Sequence, residues 1–109
     1  MYEIFHYVTA SGRNVLVEWL QALNDEKTAA RLAARIARLA AGNFGDCRPL
    51  HHGVWELRID YGPGYRIYYA MIGQKCVLLL CGGNKRTQAA DIRRATAYWQ
   101  DYQERTKTT

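Results

Sequence analysis

The chain has 109 residues, 49% of them hydrophobic and 23% charged, which suffices for one modest core, is too short for two, and argues against extensive disorder. A single domain over residues 1–109 is therefore expected, and its net charge of +5 favours polyanionic partners such as nucleic acid or an acidic protein segment. The start MYEIFHYV lacks the pattern of a secretory leader, and the longest apolar run, CVLLLC at 76–81, is too short to span a bilayer, so a cytoplasmic protein with no membrane partner is expected.

In chain order, residues 2–8 read as a short strand. Ser11 can cap a helix that carries Val15, Leu16, Trp19, Leu20 and Leu23 on one stripe. Asn24 or Asp25 caps the next helix, whose apolar positions Ala29, Leu32, Ala33, Ile36, Leu39 and Ala40 end before Gly42. Arg31, Arg35 and Arg38 form a basic stripe beside them, either solvated or in contact with nucleic acid. Residues 44–53 read as a loop that delivers His51 and His52 to the mouth of the hairpin that follows. Histidine is the usual proton carrier near neutral pH, although loop histidines are commonly idle.

The hairpin VWELRIDYGPGYR at 54–66 carries the most chemistry. Alternation puts Trp55, Leu57, Ile59 and Tyr61 on one side and Glu56, Arg58 and Asp60 on the other. A three-residue loop pairing Tyr61 with Tyr65 would set Arg58 opposite Tyr68 and Asp60 opposite Arg66. Gly73-Gln74 then reads as a two-residue turn, and residues 75–82, nearly all apolar, should run through the middle of the sheet. With Ile72 opposite Lys75, Cys81 falls beside Arg66, and the tract CGGNK brings Lys85 and Arg86 to the rim of the same face. That face is either an exposed phosphate-holding patch or a solvated surface with one ion pair. Thr87 caps a closing helix with Ile92, Ala95, Trp99 and Tyr102 inward, and Arg105 and Lys107 belong to a frayed tail. The three cysteines are not closely paired, which suits a reducing compartment. Cys76 and Cys81, five positions apart, should face opposite sides of their strand, and no spacing fits a metal site.

The element order strand, helix, helix, three strands, helix, together with VWELR, GPGYRIYY, LLCGGNKRTQ and the downstream DI…AxxYW, resembles the RelE/ParE superfamily of bacterial toxins. Within it the chain is similar to the addiction-module killer proteins related to phage Gp49-like and HigB toxins, over nearly all of residues 2–102. The resemblance implies an α+β fold of order β-α-α-β-β-β-α, with a small, mainly antiparallel sheet packed against helices. It also implies a type II toxin with a cognate antitoxin, expected to be a helix-turn-helix protein, and cleavage of mRNA on the ribosome by a metal-independent endoribonuclease without cofactors.

Such cleavage uses the neighbouring 2'-hydroxyl as nucleophile, so the protein must align the phosphate, stabilise added negative charge and handle two protons. Arginine donates bidentately to phosphate oxygens and stays charged, which makes it a stabiliser and a poor base. Arg58, Arg66 and Lys85 are accordingly the expected catalytic residues, Lys85 acting either on the phosphate or as a proton shuttle. Tyr68, Arg86 and His52 are the expected RNA-binding residues. Trp55, which can also stack on a base, lies on the core side of its strand. Two departures from the toxin pattern stand out: Glu56 replaces a lysine found in some ribosome-dependent relatives, and Asn84 replaces a frequent aspartate. Arg66→Ala is expected to abolish toxicity and leave the fold intact. The competing reading is a non-catalytic ParE-like inhibitor of DNA gyrase, or an inactive relative that only binds antitoxin.

Overall fold

Apolar side chains on both sides of successive strands demand a sheet covered on both faces, and the computed structural model, which describes residues 1–107, has that form. Its elements are β1 (Glu3–His6), α1 (Val15–Ala22), α2 (Glu26–Ala40), β2 (Cys47–Pro49), β3 (Val54–Ile59), β4 (Tyr65–Ile72), β5 (Cys76–Asn84), a 3-10 turn (Lys85–Thr87) and α3 (Gln88–Arg105). The strand order is β1-β5-β4-β3-β2; β1 runs parallel to β5 and all other neighbours are antiparallel. The expected α+β class and element order hold, with one addition. Residues 44–53 are not wholly loop, because Cys47, Arg48 and Pro49 pair with Leu57, Glu56 and Trp55 as an edge strand. Three residues ending in proline give too short a pattern to signal a strand, and they suit an edge, where a missing N–H costs nothing.

One face of the sheet buries Val54, Tyr68, Ala70, Leu78, Leu80 and Cys81 against Ala95, with Ile92, Trp99 and Tyr102 of α3 packed around them. The other buries Leu57, Ile59, Ile67, Tyr69, Val77 and Leu79 against Leu16 of α1 and Leu32 and Leu39 of α2. A bulge shifts the β4–β5 register between Tyr68 and Tyr69, so Tyr69 faces Leu79 while Tyr68 faces Cys81. The extra residue, Leu80, resets the alternation, and Leu80 and Cys81 enter the same core. Parity counting across Cys76 and Cys81 therefore fails. The preceding turn also holds three residues rather than two, since Ile72 pairs with Cys76.

Caps differ from expectation where two polar residues compete. α1 starts later than Ser11 allows: Asn14 Oδ1 accepts the Val17 N–H at 3.1 Å, while Ser11 bonds Thr9 in a turn. Asp25 caps α2, taking the N–H groups of Lys27 and Thr28, and Asn24 adopts a positive φ. Arg105 is not frayed. It ends α3, pairs with Asp101 at 2.9 Å, donates to the Val8 carbonyl and lies 5.6 Å over the Tyr7 ring.

Gly82 and Gly83 sit inside β5 because both faces crowd them. A Cβ on Gly82 would lie 2.4 Å from the Trp19 ring, and one on Gly83 would lie 1.7 Å from Asp91 Oδ2. Asp91 is buried and holds Thr87 Oγ1–H and Arg94, so it cannot simply swing away. Gly83→Ala should cost about 1 to 3 kcal/mol, the range for overpacking a tight site. A urea midpoint equal to wild type would show that Asp91 is free to move.

Candidate functional site

Pairing of Ile59 with Tyr65 leaves residues 60–64 as a five-residue loop, so the hairpin register is displaced by two from a three-residue loop. Arg58 lies directly opposite Arg66, and Glu56 opposite Tyr68. Asp60 leaves the strand and does not pair with Arg66. Arg66 faces Gly83 rather than Cys81 on its other side. A displacement of two preserves the side of the sheet, so both guanidiniums still share a face, and more closely than expected, with Cβ atoms roughly 5 Å apart.

Two like charges directly opposed repel, and Glu56 stands beneath them. Its Oε1 lies 3.8 Å from Arg58 Nε and its Oε2 3.9 Å from Arg66 Nε. Oε2 also accepts from Gln88 Nε2 at 2.8 Å and from the Tyr68 hydroxyl at 3.3 Å. Glu56 is fully buried, and its Oε1 and Arg66 Nε have no hydrogen-bond partner among the described residues. The pairs are thus held by charge at a distance rather than by closed hydrogen bonds, which leaves donor capacity on the arginines.

Lys85 reaches the same place from the 3-10 turn that follows β5. Asn84 Oδ1 accepts the Arg86 N–H at 2.9 Å, and Thr87 Oγ1 accepts the Asn84 N–H at 3.2 Å, fixing the turn that presents Lys85. An asparagine oxygen suffices as the acceptor in this cap. Gly64 in the hairpin loop comes close: a Cβ there would lie 3.5 Å from Lys85 Cβ. Arg58, Arg66 and Lys85 consequently line one concavity of about 320 Å³, together with Tyr65, Asp46 and Asp60.

The other expected site residues are placed differently. Tyr68 is fully buried under α3, so its ring has no face to offer a base, and its role is to hold Glu56. The face as a whole is not an open patch: α3 covers it, and only the end near Arg58 and Lys85 reaches solvent. Alternation tells which side chains share a face but not what lies over it. Arg86 is exposed and does not line the concavity. His51 and His52 precede the far end of β3, with roughly 13 Å of strand between Val54 and Arg58, and they line a separate groove with Ile92, Arg93 and Thr96 of α3. Neither is at the hairpin mouth. Arg35 leaves the basic stripe to donate to the carbonyls of Asn43 and Phe44.

Glu56, Gln88 and Asp91 are the polar residues whose parts were not foreseen. The signal for Glu56 was a carboxylate at strand spacing among side chains that prove buried; the Thr87–Asp91 contact follows the i,i+4 rule. Among the described residues no group of three or more His, Cys, Asp or Glu side chains is disposed to hold a metal ion.

Burial, then the Glu56 and Asp91 charges, push the Tyr68 phenol well above its ordinary value. Burial also raises Tyr69 and pushes the Cys81 thiol up to about 12. Acids whose folded pKa exceeds the unfolded one contribute stability that is intact below the unfolded pKa and is lost as pH rises above it. Stability should therefore hold to pH near 9 and fall steadily beyond. Denaturation midpoints across pH 7 to 11 test this, and a midpoint still rising at pH 11 would contradict it.

The model of the family described as Phage derived protein Gp49-like (DUF891) matches residues 18–99, a span that includes the hairpin, the Gly-Gly tract and most of α3. An uncharacterized protein of Haemophilus influenzae (strain ATCC 51907 / DSM 11121 / KW20 / Rd) is 48% identical over 77 residues, covering 71% of this chain and 78% of that protein. No helix among the described residues is long and apolar enough to cross a membrane. The chain belongs to the phage-derived Gp49-like family, within the broad RelE/HigB-like group of toxins.

Proposed function

We propose that this protein is the toxin of a type II toxin–antitoxin pair and an endoribonuclease that cleaves mRNA on the ribosome. The observation that carries this reading is the direct opposition of Arg58 and Arg66 across β3 and β4, with Lys85 lining the same concavity. A phosphodiester seated there meets two cations from adjacent strands and a third from the 3-10 turn that follows β5. Attack of the 2'-oxygen on phosphorus forms a cyclic phosphate and breaks the bond to the 5'-oxygen. The two guanidiniums stabilise the charge that builds on the non-bridging oxygens, and the Lys85 ammonium donates a proton to the departing 5'-oxygen. The carboxylates of Asp46 and Asp60, which line the concavity, are the acceptors at hand for the 2'-hydroxyl proton. The partner is an antitoxin with acidic side chains matched to this basic end.

Purified protein added to programmed ribosomes and, separately, to DNA gyrase decides between the two modes of toxicity. A-site mRNA cleavage is the expected result; inhibition of supercoiling without cleavage would overturn the nuclease reading in favour of a gyrase-binding toxin.

A further inference from the structure

A second concavity, of about 400 Å³, adjoins the first, and Asp46, Arg58, Ile59 and Asp60 line both. Its far wall is α2, which contributes Arg31 and Arg38. These stand seven residues apart, about 10 Å along the helix axis, too far for one phosphate and suited to two successive ones. Neither has a carboxylate within 4 Å among the described residues. The Arg31 guanidinium lies 4.4 Å over the Tyr61 ring, and Tyr61 stacks on Tyr65 with centroids 6.4 Å apart and planes at 27°. Tyr61 lines the second concavity and Tyr65 the first, so an aromatic pair bridges two basic hollows.

Cations that track a groove, interleaved with rings, are the means by which proteins hold single-stranded nucleic acid. An acidic protein segment would be served by the cations alone. We propose that the second concavity is a phosphate subsite for single-stranded RNA. In it Arg31, Arg38 and the shared Arg58 hold the phosphates next to the one clasped by Arg58, Arg66 and Lys85, and the Tyr61 ring props the Arg31 guanidinium. The subsite rests on the nuclease reading of the first concavity and extends it from one phosphate to a tract of several nucleotides.

The test is fluorescence anisotropy with 2'-O-methyl oligouridines, which cannot be cleaved, as a dimer and a hexamer over a range of salt concentrations. The Arg31→Gln/Arg38→Gln variant alters only exposed helix positions. It should bind the hexamer roughly tenfold more weakly, reduce the log–log salt slope by about 1.4, and bind the dimer as wild type does. Unchanged hexamer affinity and slope, an equal loss for the dimer, or no hexamer binding by wild type would overturn the subsite. So would hexamer binding that survives the variant while binding of a glutamate decamer is lost, which would assign the groove to a protein partner. Ribosomal mRNA cleavage measured on the same preparations separates the two readings. Cleavage without hexamer binding leaves the nuclease standing and removes the subsite; arginine-dependent hexamer binding without cleavage does the reverse.

Discussion

Arg66→Ala should lower the rate of mRNA cleavage by about 10²- to 10³-fold, the loss that follows removal of one preorganised oxyanion donor. The fold will not be untouched, contrary to what the sequence suggests. Arg66 is only 5% exposed and neutralises a fully buried Glu56, and breaking a buried pair costs about 3 to 5 kcal/mol. The loss should fall at or below the low end of that range, because Glu56 retains Arg58, Gln88 and Tyr68. Single-turnover cleavage must therefore be read alongside urea unfolding. Arg66→Lys separates the two effects: the charge remains and most stability with it, while the planar fork that matches a phosphate is gone. Full activity in a folded Arg66→Lys or Arg66→Ala protein would remove Arg66 from the chemistry.

Glu56→Ala should destabilise the sheet strongly. It leaves Arg58 and Arg66 opposed across the hairpin with no counter-charge, and it orphans the buried Tyr68 hydroxyl and the Gln88 amide. Such a change costs about 3 to 5 kcal/mol, which for a domain of this size lowers Tm by more than about 12 °C. Glu56→Gln keeps the shape and the neutral hydrogen bonds but not the charge, so its loss should be smaller. Added sulfate, binding between the two unneutralised guanidiniums, should raise the Tm of Glu56→Gln more than that of wild type. Thermal unfolding with and without sulfate reads both effects. A Glu56→Ala protein that melts with wild type would show that the carboxylate does not hold the arginines.

The sheet side of each hairpin residue was legible in the sequence because alternation survives a register error of two, and so Arg58, Arg66 and Lys85 converge although every cross-strand partner assigned to them changed. What alternation cannot carry is the third dimension. Tyr68 and Glu56 read as members of a polar surface, yet α3 lies over them and turns them into a buried bracket. The β5 bulge was equally hidden, since Leu80 looks like any other apolar strand residue, and its effect on Cys81 appears only in the pairing. His52 was misplaced for a related reason: it sits in the turn between β2 and β3, at the end of β3 remote from Arg58. The Gly-Gly tract was visible as a motif, but its cause, Trp19 pressing from one face and Asp91 from the other, required packing.

If Arg58, Arg66 and Lys85 clasp one phosphodiester for attack by the neighbouring 2'-hydroxyl, the ends of the cut RNA must carry the mark of that attack. The most direct measurement is analysis of the ends produced when the protein acts on ribosome-bound mRNA in the presence of EDTA, with a matched transcript carrying a single 2'-deoxy nucleotide at the cleaved position. A 2',3'-cyclic phosphate and a free 5'-hydroxyl are expected from the natural transcript, and no cut in the substituted one. Cleavage of the 2'-deoxy transcript, 5'-phosphate ends, or no cleavage of either transcript would contradict it.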